Sequence, residues 1–317
     1  MPLVSVVIRT LNEERHLEEL LNSISNQKSD LFDIEIVVVD SGSTDKTLDI
    51  AKAYKARITY IKKSEFTFGR SLNIGCEFAQ GDYLAFVSGH CIPANDNWIH
   101  ELVLPLYEGV VSYTYGRQLG RDTTKFSEQQ LFDKYFPAKS KIPQVGFFCN
   151  NANSAIRKDI WNKFKFDETL TGLEDMYLAK QLVDENERIG YVSGAAVYHI
   201  HDETWSQVKI RYEREAIALQ KILPELHFSI KDLFSFIFVA VLKDCKEAFK
   251  RGILSSELTS IIRFRFAQYY GAYCGNHIHR QLSHEMKIKY FYPRITSMDV
   301  THEKKENRSF ASNESKQ

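Results

Sequence analysis

The sequence predicts an α/β protein built on a doubly wound, mostly parallel sheet, with a helical extension at its C-terminal end. Three observations carry this. Short β-branched or apolar runs at 3–8, 34–39, 58–61 and 83–87 alternate with segments whose apolar residues recur at helical spacing. The runs are continuously apolar, as strands buried on both faces must be. After Thr204 the strand-like runs stop and long helical patterns take over. Such β-α-β alternation calls for parallel strands joined by right-handed crossovers.

Each element follows from local pattern. Residues 3–8 (LVSVVI) form the first strand, and Leu17, Leu20, Leu21 and Ile24 give the next helix one apolar face. Residues 34–39 (IEIVVV) form the second strand, which ends at Asp40. The Ser, Gly, Thr and Asp residues at 41–45 make a turn that caps a helix at 48–54. A third strand lies at 58–61. Phe68, Gly69 and Arg70 then lead into a helix that runs through Asn73 to Phe78. Residues 83–87 (YLAFV) are too few for a helix and stop at Ser88-Gly89-His90, which places polar groups at the carboxyl end of a sheet.

The middle of the chain is less regular. Residues 110–115 read as a strand and 126–136 as an aromatic-rich helix. Residues 147–156 (FFCNNANSAI) mix apolar side chains with three asparagines. Buried amides need partners, so this segment is either a satisfied turn or a polar ligand wall. Tyr177, Leu178, Leu182 and Val183 mark a helix that begins near Glu174 and Asp175, where the helix dipole favours carboxylates. Residues 189–198 form a strand ending at His199-Ile200-His201, and alternation puts both imidazoles on one face if the strand continues that far.

Residues 208–223 and 261–273 read as helices. The run 233–242 (LFSFIFVAVL) falls short of the roughly 20 residues that span a bilayer. It is a core helix or an interfacial one. Residues 296–317 are polar and aperiodic, as a disordered tail is. The implied division is an α/β domain over 1–215, a helical extension over 216–295 and the tail.

Composition narrows the function. At 44% apolar residues the chain can build a large core. Lysine plus arginine equals aspartate plus glutamate, 41 each, so no broad basic face awaits a nucleic acid. Five scattered cysteines without CxxC spacing read as reduced thiols rather than as disulfides or a cysteine zinc site. With no basic, apolar leader at the first residues, a cytoplasmic location is expected. No GxGxxG follows the first strand, so a dinucleotide site is not supported.

Four stretches, VSVVIRTLNEERHLEELLNSI, EIVVVDSGSTDKT, GRSLNIGCEFAQGDYLAFVSGH and GLEDMYLAKQLV, together resemble family 2 glycosyltransferases of the GT-A fold over roughly residues 1 to 215. VYHIH followed by an arginine-bearing helix is similar to the rhamnosyltransferase-like bacterial members that build surface polysaccharides such as capsule and O-antigen. The resemblance implies inverting transfer of a sugar from a nucleotide-diphosphate donor to a hydroxyl of a glycan or lipid-linked acceptor. It implies that Asp40 holds the nucleotide base and that Thr10, Asn12 and Glu13 line the base and ribose. Asn73 and Ser88 join them around the donor, and Arg70 offers a planar fork of donors to base or phosphate. Asp175, beside Glu174, matches the general base that deprotonates the acceptor.

One departure stands out. The family carries Asp-X-Asp at the end of the fourth strand to hold a divalent metal, and here the tripeptide is Ser88-Gly89-His90. Three readings stay open. His90 is a nitrogen ligand, with His199 or His201 completing a site for Mn²⁺ or Mg²⁺, although imidazole suits Zn²⁺ or Fe²⁺ better. Alternatively the enzyme works without metal, with His90, His199 and Arg70 neutralising the diphosphate. Or the protein is a non-catalytic sugar-nucleotide-binding partner of an active transferase. The C-terminal helices, with Lys243, Lys246, Lys250, Arg251, Arg263 and Arg265, either rest on the inner face of the cell membrane, or only cap the core or form a homodimer interface.

Overall fold

Alternation of side chains along the strands decides which helix covers which face of the sheet. The computed structural model describes residues 1–277 together with Tyr290 and Phe291. Strand β1 (Leu3–Thr10) is followed by α1 (Leu17–Ser25), β2 (Asp33–Asp40), α2 (Thr47–Ala53), β3 (Arg57–Tyr60), α3 (Phe68–Phe78) and β4 (Tyr83–Ser88). Their strands pair in parallel in the order β3-β2-β1-β4, as the alternation predicts. Val6, Ile8, Ala85 and Val87 point to the face covered by α1 and α2. Val7, Val37, Val39, Leu84 and Phe86 point to the opposite face, where α3 lies. Each such side chain contributes about 1.5–3 kcal/mol by leaving water.

Beyond β4 come β5 (Cys91–Pro93), α4 (Trp98–Tyr107), β6 (Tyr113–Leu119), α5 (Phe126–Tyr135), β7 (Asn153–Arg157), α6 (Lys158–Lys163), α7 (Glu174–Asp184) and β8 (Ile189–His199). The full sheet runs β3-β2-β1-β4-β7-β6-β8-β5. Strand β7 is antiparallel to both β4 and β6, and β5 is antiparallel to β8. The remaining pairs are parallel, so the sheet is mostly parallel as expected. Neither β5 nor α4 is anticipated by the sequence reading, although Trp98, Ile99, Leu102, Val103 and Leu106 do recur at helical spacing and are buried. The asparagine-rich segment also resolves: its second half is strand β7, inserted between β4 and β6.

The chain ends in α8 (Trp205–Ile222), α9 (Ile230–Lys250) and α10 (Leu254–Asn276). Thr204 and Gln207 form a capping box that starts α8. Helices α8 and α10 touch backbone to backbone: a Cβ added at Gly275 would lie 2.1 Å from the Glu213 carbonyl oxygen. Residue 215, placed between two domains by the sequence, therefore sits inside one continuous helix. Two expectations for this region need correction. Residues 233–242 are not a core helix, because Phe234, Phe236, Phe238, Val239 and Leu242 are exposed on α9. Arg265 is not an exposed basic residue either: its guanidinium is buried and binds Asp244 at 2.7 and 2.9 Å. Among the described residues no helix is long and apolar enough to cross a membrane. The expected tail at 296–317 lies outside the described residues.

Candidate active site

The carboxyl ends of β1, β2 and β4 lie side by side, with Thr10 opposite Asp40 and Arg9 opposite Ser88. Parallel sheets bind ligands at that edge. Two loops line it and are stitched together. The Asp40 carboxylate accepts hydrogen bonds from the backbone N–H groups of Gly42 and Ser43 at 2.9 and 3.0 Å, and from the Thr10 hydroxyl at 3.1 Å. Asn12 adopts a left-handed conformation (φ 56°), which asparagine tolerates better than most residues. Its Oδ1 accepts from the Thr44 N–H at 2.8 Å, and the Glu13 N–H donates to Thr47 Oγ1 at 2.8 Å. Thr10, Asn12, Glu13 and Asp40 are thus brought together, and Asp40 also holds the turn that follows it.

Two expected donor contacts fare differently. Arg70 stands in the first turn of α3, nearly half exposed, 3.9 Å from Glu168. Asn73 is not. Its Nδ2 donates to the Phe166 carbonyl at 2.9 Å and to Glu168 Oε1 at 3.0 Å. Its Oδ1 accepts from Trp161 Nε1 and the Phe166 N–H, both at 3.1 Å. With its amide filled and buried, Asn73 pins α3 to the segment before α7, and the expectation of a donor contact is corrected to a packing role.

Glu174 and Asp175 open α7, as the apolar spacing predicts. Glu174 pairs with Arg9 at 3.5 Å. Asp175 is buried and accepts from the Asn151 and Met176 N–H groups, both at 2.7 Å. Burial, joined by the neighbouring Glu174 charge, pushes its carboxyl from 3.8 up to about 7. A group with that value releases and takes protons near neutral pH, as a general base requires. Strand β4 reaches the same place: the Ser88 N–H donates to the carbonyl of Ala152, the residue after Asn151.

His90, His199 and His201 converge at the other side of this edge. The His90 and His199 rings stack with centroids 5.3 Å apart, and His199 and His201 lie 3.9 Å apart. One ring nitrogen from each histidine lies within 4.8 Å of the others. His199 Nδ1 is 2.7 Å from Gln118 Oε1, His201 Nδ1 is 2.8 Å from Glu128 Oε1, and His90 Nδ1 is 3.4 Å from Glu13 Oε1. Gly89 is required beside them, since a Cβ there would meet Glu13 Cγ at 2.9 Å. A hydrogen-bonded series joins the two halves of the site. The amide of Asn150, next to Asn151, accepts from the Ala152 N–H at 3.0 Å and from Gln118 Nε2 at 2.8 Å.

The sequence reading placed His90, His199, Glu174 and Asp175 in the site, and the structure brings His90 to His199. It did not single out Gln118, Glu128 or Arg9. The three-asparagine cluster was a visible signal for Gln118 alone, which bonds Asn150, and its amide oxygens are hydrogen-bonded as in a satisfied turn.

Residues 5–164 match the family described as glycosyl transferase family 2. Over 189 residues the chain is 28% identical to an O-antigen chain rhamnosyltransferase of Salmonella anatum, covering 56% of this chain and 60% of that protein. It is 24% identical to a poly(ribitol-phosphate) beta-N-acetylglucosaminyltransferase of Staphylococcus aureus, covering 82% of this chain and 44% of that protein. The chain thus spans less than two thirds of either relative. Among solved structures, a mannosyltransferase of Pyrobaculum calidifontis in complex with GDP-Man and Mn²⁺ superposes with a TM-score of 0.60 at 13% identity, covering 93% of this chain and 88% of that one. These likenesses bear out the expected GT-A architecture.

Proposed function

The chain belongs to glycosyl transferase family 2, and we propose that it transfers a sugar from a nucleotide-diphosphate donor to a hydroxyl acceptor during assembly of a cell-surface polysaccharide. The observation that carries this reading is the buried carboxyl of Asp175, held by two backbone N–H groups at the sheet edge and raised to about 7. In the proposed step Asp175 takes the proton of the acceptor hydroxyl. The acceptor oxygen bonds to the anomeric carbon as the bond from that carbon to the diphosphate oxygen breaks, with inversion. The electron pair leaves on the nucleoside diphosphate. Glu174 pairs with Arg9 and, from beside Asp175, helps to keep that carboxyl basic. Thr10, Asn12, Glu13 and Asp40 form the wall for base and ribose, Ser88 borders the diphosphate, and Arg70 closes over it. A divalent cation, when bound, neutralises charge on the departing diphosphate.

Binding and turnover of UDP-, dTDP-, GDP- and CMP-sugars, in wild type and Asp175→Asn, test the reading. The expected result is binding of one donor class by both proteins, with transfer lost in the variant. Donor binding with transfer unchanged in Asp175→Asn gives the base role to another group. No binding to any donor overturns the reading.

The acceptor is lipid-linked in the finer form of this proposal. The exposed phenylalanines of α9 are flanked by exposed Lys231, Lys243, Lys246 and Lys250. Apolar rings between lysines match an anionic lipid surface in shape and charge, and we assign that occupant to this face.

A further inference from the structure

We infer that His90, His199 and His201 form a three-imidazole site for a transition-metal dication of the Zn²⁺ and Co²⁺ class, with Glu13, Gln118 and Glu128 as positioning residues that set its selectivity against Mg²⁺. The inference rests on the transferase reading for the use of the metal, but not for its binding.

The argument begins with tautomers. The Asn150 Oδ1 accepts from a backbone N–H, that of Ala152, so it is fixed as an oxygen. The Gln118 atom facing it is therefore the amide nitrogen, and Gln118 Oε1 must face His199. An amide oxygen only accepts, so His199 carries its proton on Nδ1. Glu128, ion-paired with Arg211, accepts from His201, which therefore carries a proton on Nδ1, while His90 Nδ1 lies 3.4 Å from Glu13 Oε1. His199 and His201 thus each turn a protonated Nδ1 to a fixed partner, and one ring nitrogen of each of the three histidines lies within 4.8 Å of the others. Partners of this kind fix ring orientation and raise ligand basicity at histidine metal sites.

The donor set decides the metal. Three imidazole nitrogens suit Zn²⁺, Co²⁺, Ni²⁺ or Fe²⁺, whereas Mg²⁺ demands oxygen ligands. Metal–nitrogen bonds of about 2.0–2.1 Å bring tetrahedral nitrogens to about 3.3 Å apart, so closing on the ion takes side-chain movement on the order of 1 Å. Three protein ligands leave a position open for a diphosphate oxygen. A competing cluster, Glu128 with His201 and Glu203, does not serve. Arg211 spans both carboxylates, at 2.7 Å from Glu128 and 2.8 Å from Glu203, and supplies their countercharge. It also restrains Glu128 for its contact with His201.

The test is direct titration of the chelator-stripped full chain with Mg²⁺, Mn²⁺, Co²⁺ and Zn²⁺, by calorimetry and by the visible absorption of Co²⁺. One equivalent of Co²⁺ or Zn²⁺ is expected to bind at least 100-fold more tightly than Mg²⁺, with a Co²⁺ spectrum of a low-coordinate nitrogen site. His90→Gln, at a partly exposed position, and His201→Gln should each abolish that spectrum. Glu128→Gln should weaken Co²⁺ about 10–100-fold and change the spectrum, whereas a purely structural role for Glu128 would lower stability alone. Equal affinity for Mg²⁺ and Zn²⁺, or Co²⁺ binding untouched in His90→Gln and His201→Gln, overturns the site. Sugar transfer that survives in EDTA without stoichiometric metal binding removes the metal and leaves the transferase. Stoichiometric Co²⁺ binding without any donor binding does the reverse.

Discussion

As the proposed base, Asp175 ties catalysis and stability to one titration. Its carboxyl moves from 3.8 in an ordinary setting to about 7 when folded, first through burial and then through the Glu174 charge. A raised value means that the folded chain keeps a proton that the unfolded chain releases. The associated stability is fully present below 3.8 and is lost as pH rises toward about 7, at about 1.4 kcal/mol per pH unit. From pH 5 to pH 7 the loss from this group alone is about 2 kcal/mol. Asp175→Asn cannot titrate, so urea unfolding at pH 5 and pH 8 should show it gaining on wild type by about that amount. Its single acceptor oxygen leaves one of the two N–H groups unpaired, a cost of about 1–3 kcal/mol that is the same at both pH values. Activity should show the mirror image, with kcat/KM of wild type rising through an acid limb near pH 7. Glu174→Gln removes one neighbouring charge, worth on the order of 2 kcal/mol at an effective dielectric of about 20, and should move that limb down by about 1–1.5 pH units. Parallel stability curves for Asp175→Asn and wild type, or an acid limb unmoved by Glu174→Gln, would refute the assignment.

Three other outcomes are expected. Gly89→Ala forces Glu13 away from its place beside His90 and should cost about 1–3 kcal/mol in denaturant unfolding, with Co²⁺ affinity lowered as well. Asn73→Ala orphans Trp161 Nε1 and both backbone groups of Phe166, and should cost about 2–4 kcal/mol; donor Kd of the folded variant should stay unchanged, and a tenfold loss would return Asn73 to the donor site. On α9, Phe234→Ser with Phe238→Ser should abolish salt-sensitive co-sedimentation with anionic vesicles. No vesicle binding by wild type, together with a concentration-dependent dimer in sedimentation, would give the face to a second copy of the chain.

The legible parts of this molecule are those whose burial is purely apolar. Strands β1, β2 and β4 show as runs because both faces of each are covered, and α7 shows by Leu178 and Leu182, which fixes Glu174 and Asp175 at its start. Strand β7 does not show, because Asn153 and Ser154 are buried by hydrogen bonding rather than by hydrophobicity. The Asn153 side chain accepts from Trp98 Nε1 at 2.8 Å and donates to the carbonyls of Arg117 and Ala195. Gln118 and Glu128 stayed hidden for a related reason. Each looks like an ordinary polar residue until its histidine arrives from 81 or 73 positions away. The outward face of α9 was illegible in another sense: an apolar run records that a residue prefers to be covered, not that this chain covers it.

The antiparallel insertion of β7 explains why so much of the site hangs on asparagines. Parallel strands β4 and β6 deliver their carboxyl ends to the same edge, but β7 runs the other way and begins there. The approach to β7 must therefore cross the edge between the base and the histidines, inside the protein, with its backbone groups needing partners. Asn151 gives its N–H to Asp175, Asn150 orients Gln118, and Ala152 gives its carbonyl to Ser88. Each bond satisfies a buried group of the crossing segment and at the same time fixes a group of the proposed chemistry. The proposed base and the imidazoles are then held in one register by a single short stretch of chain, so a shift of that stretch would move both together.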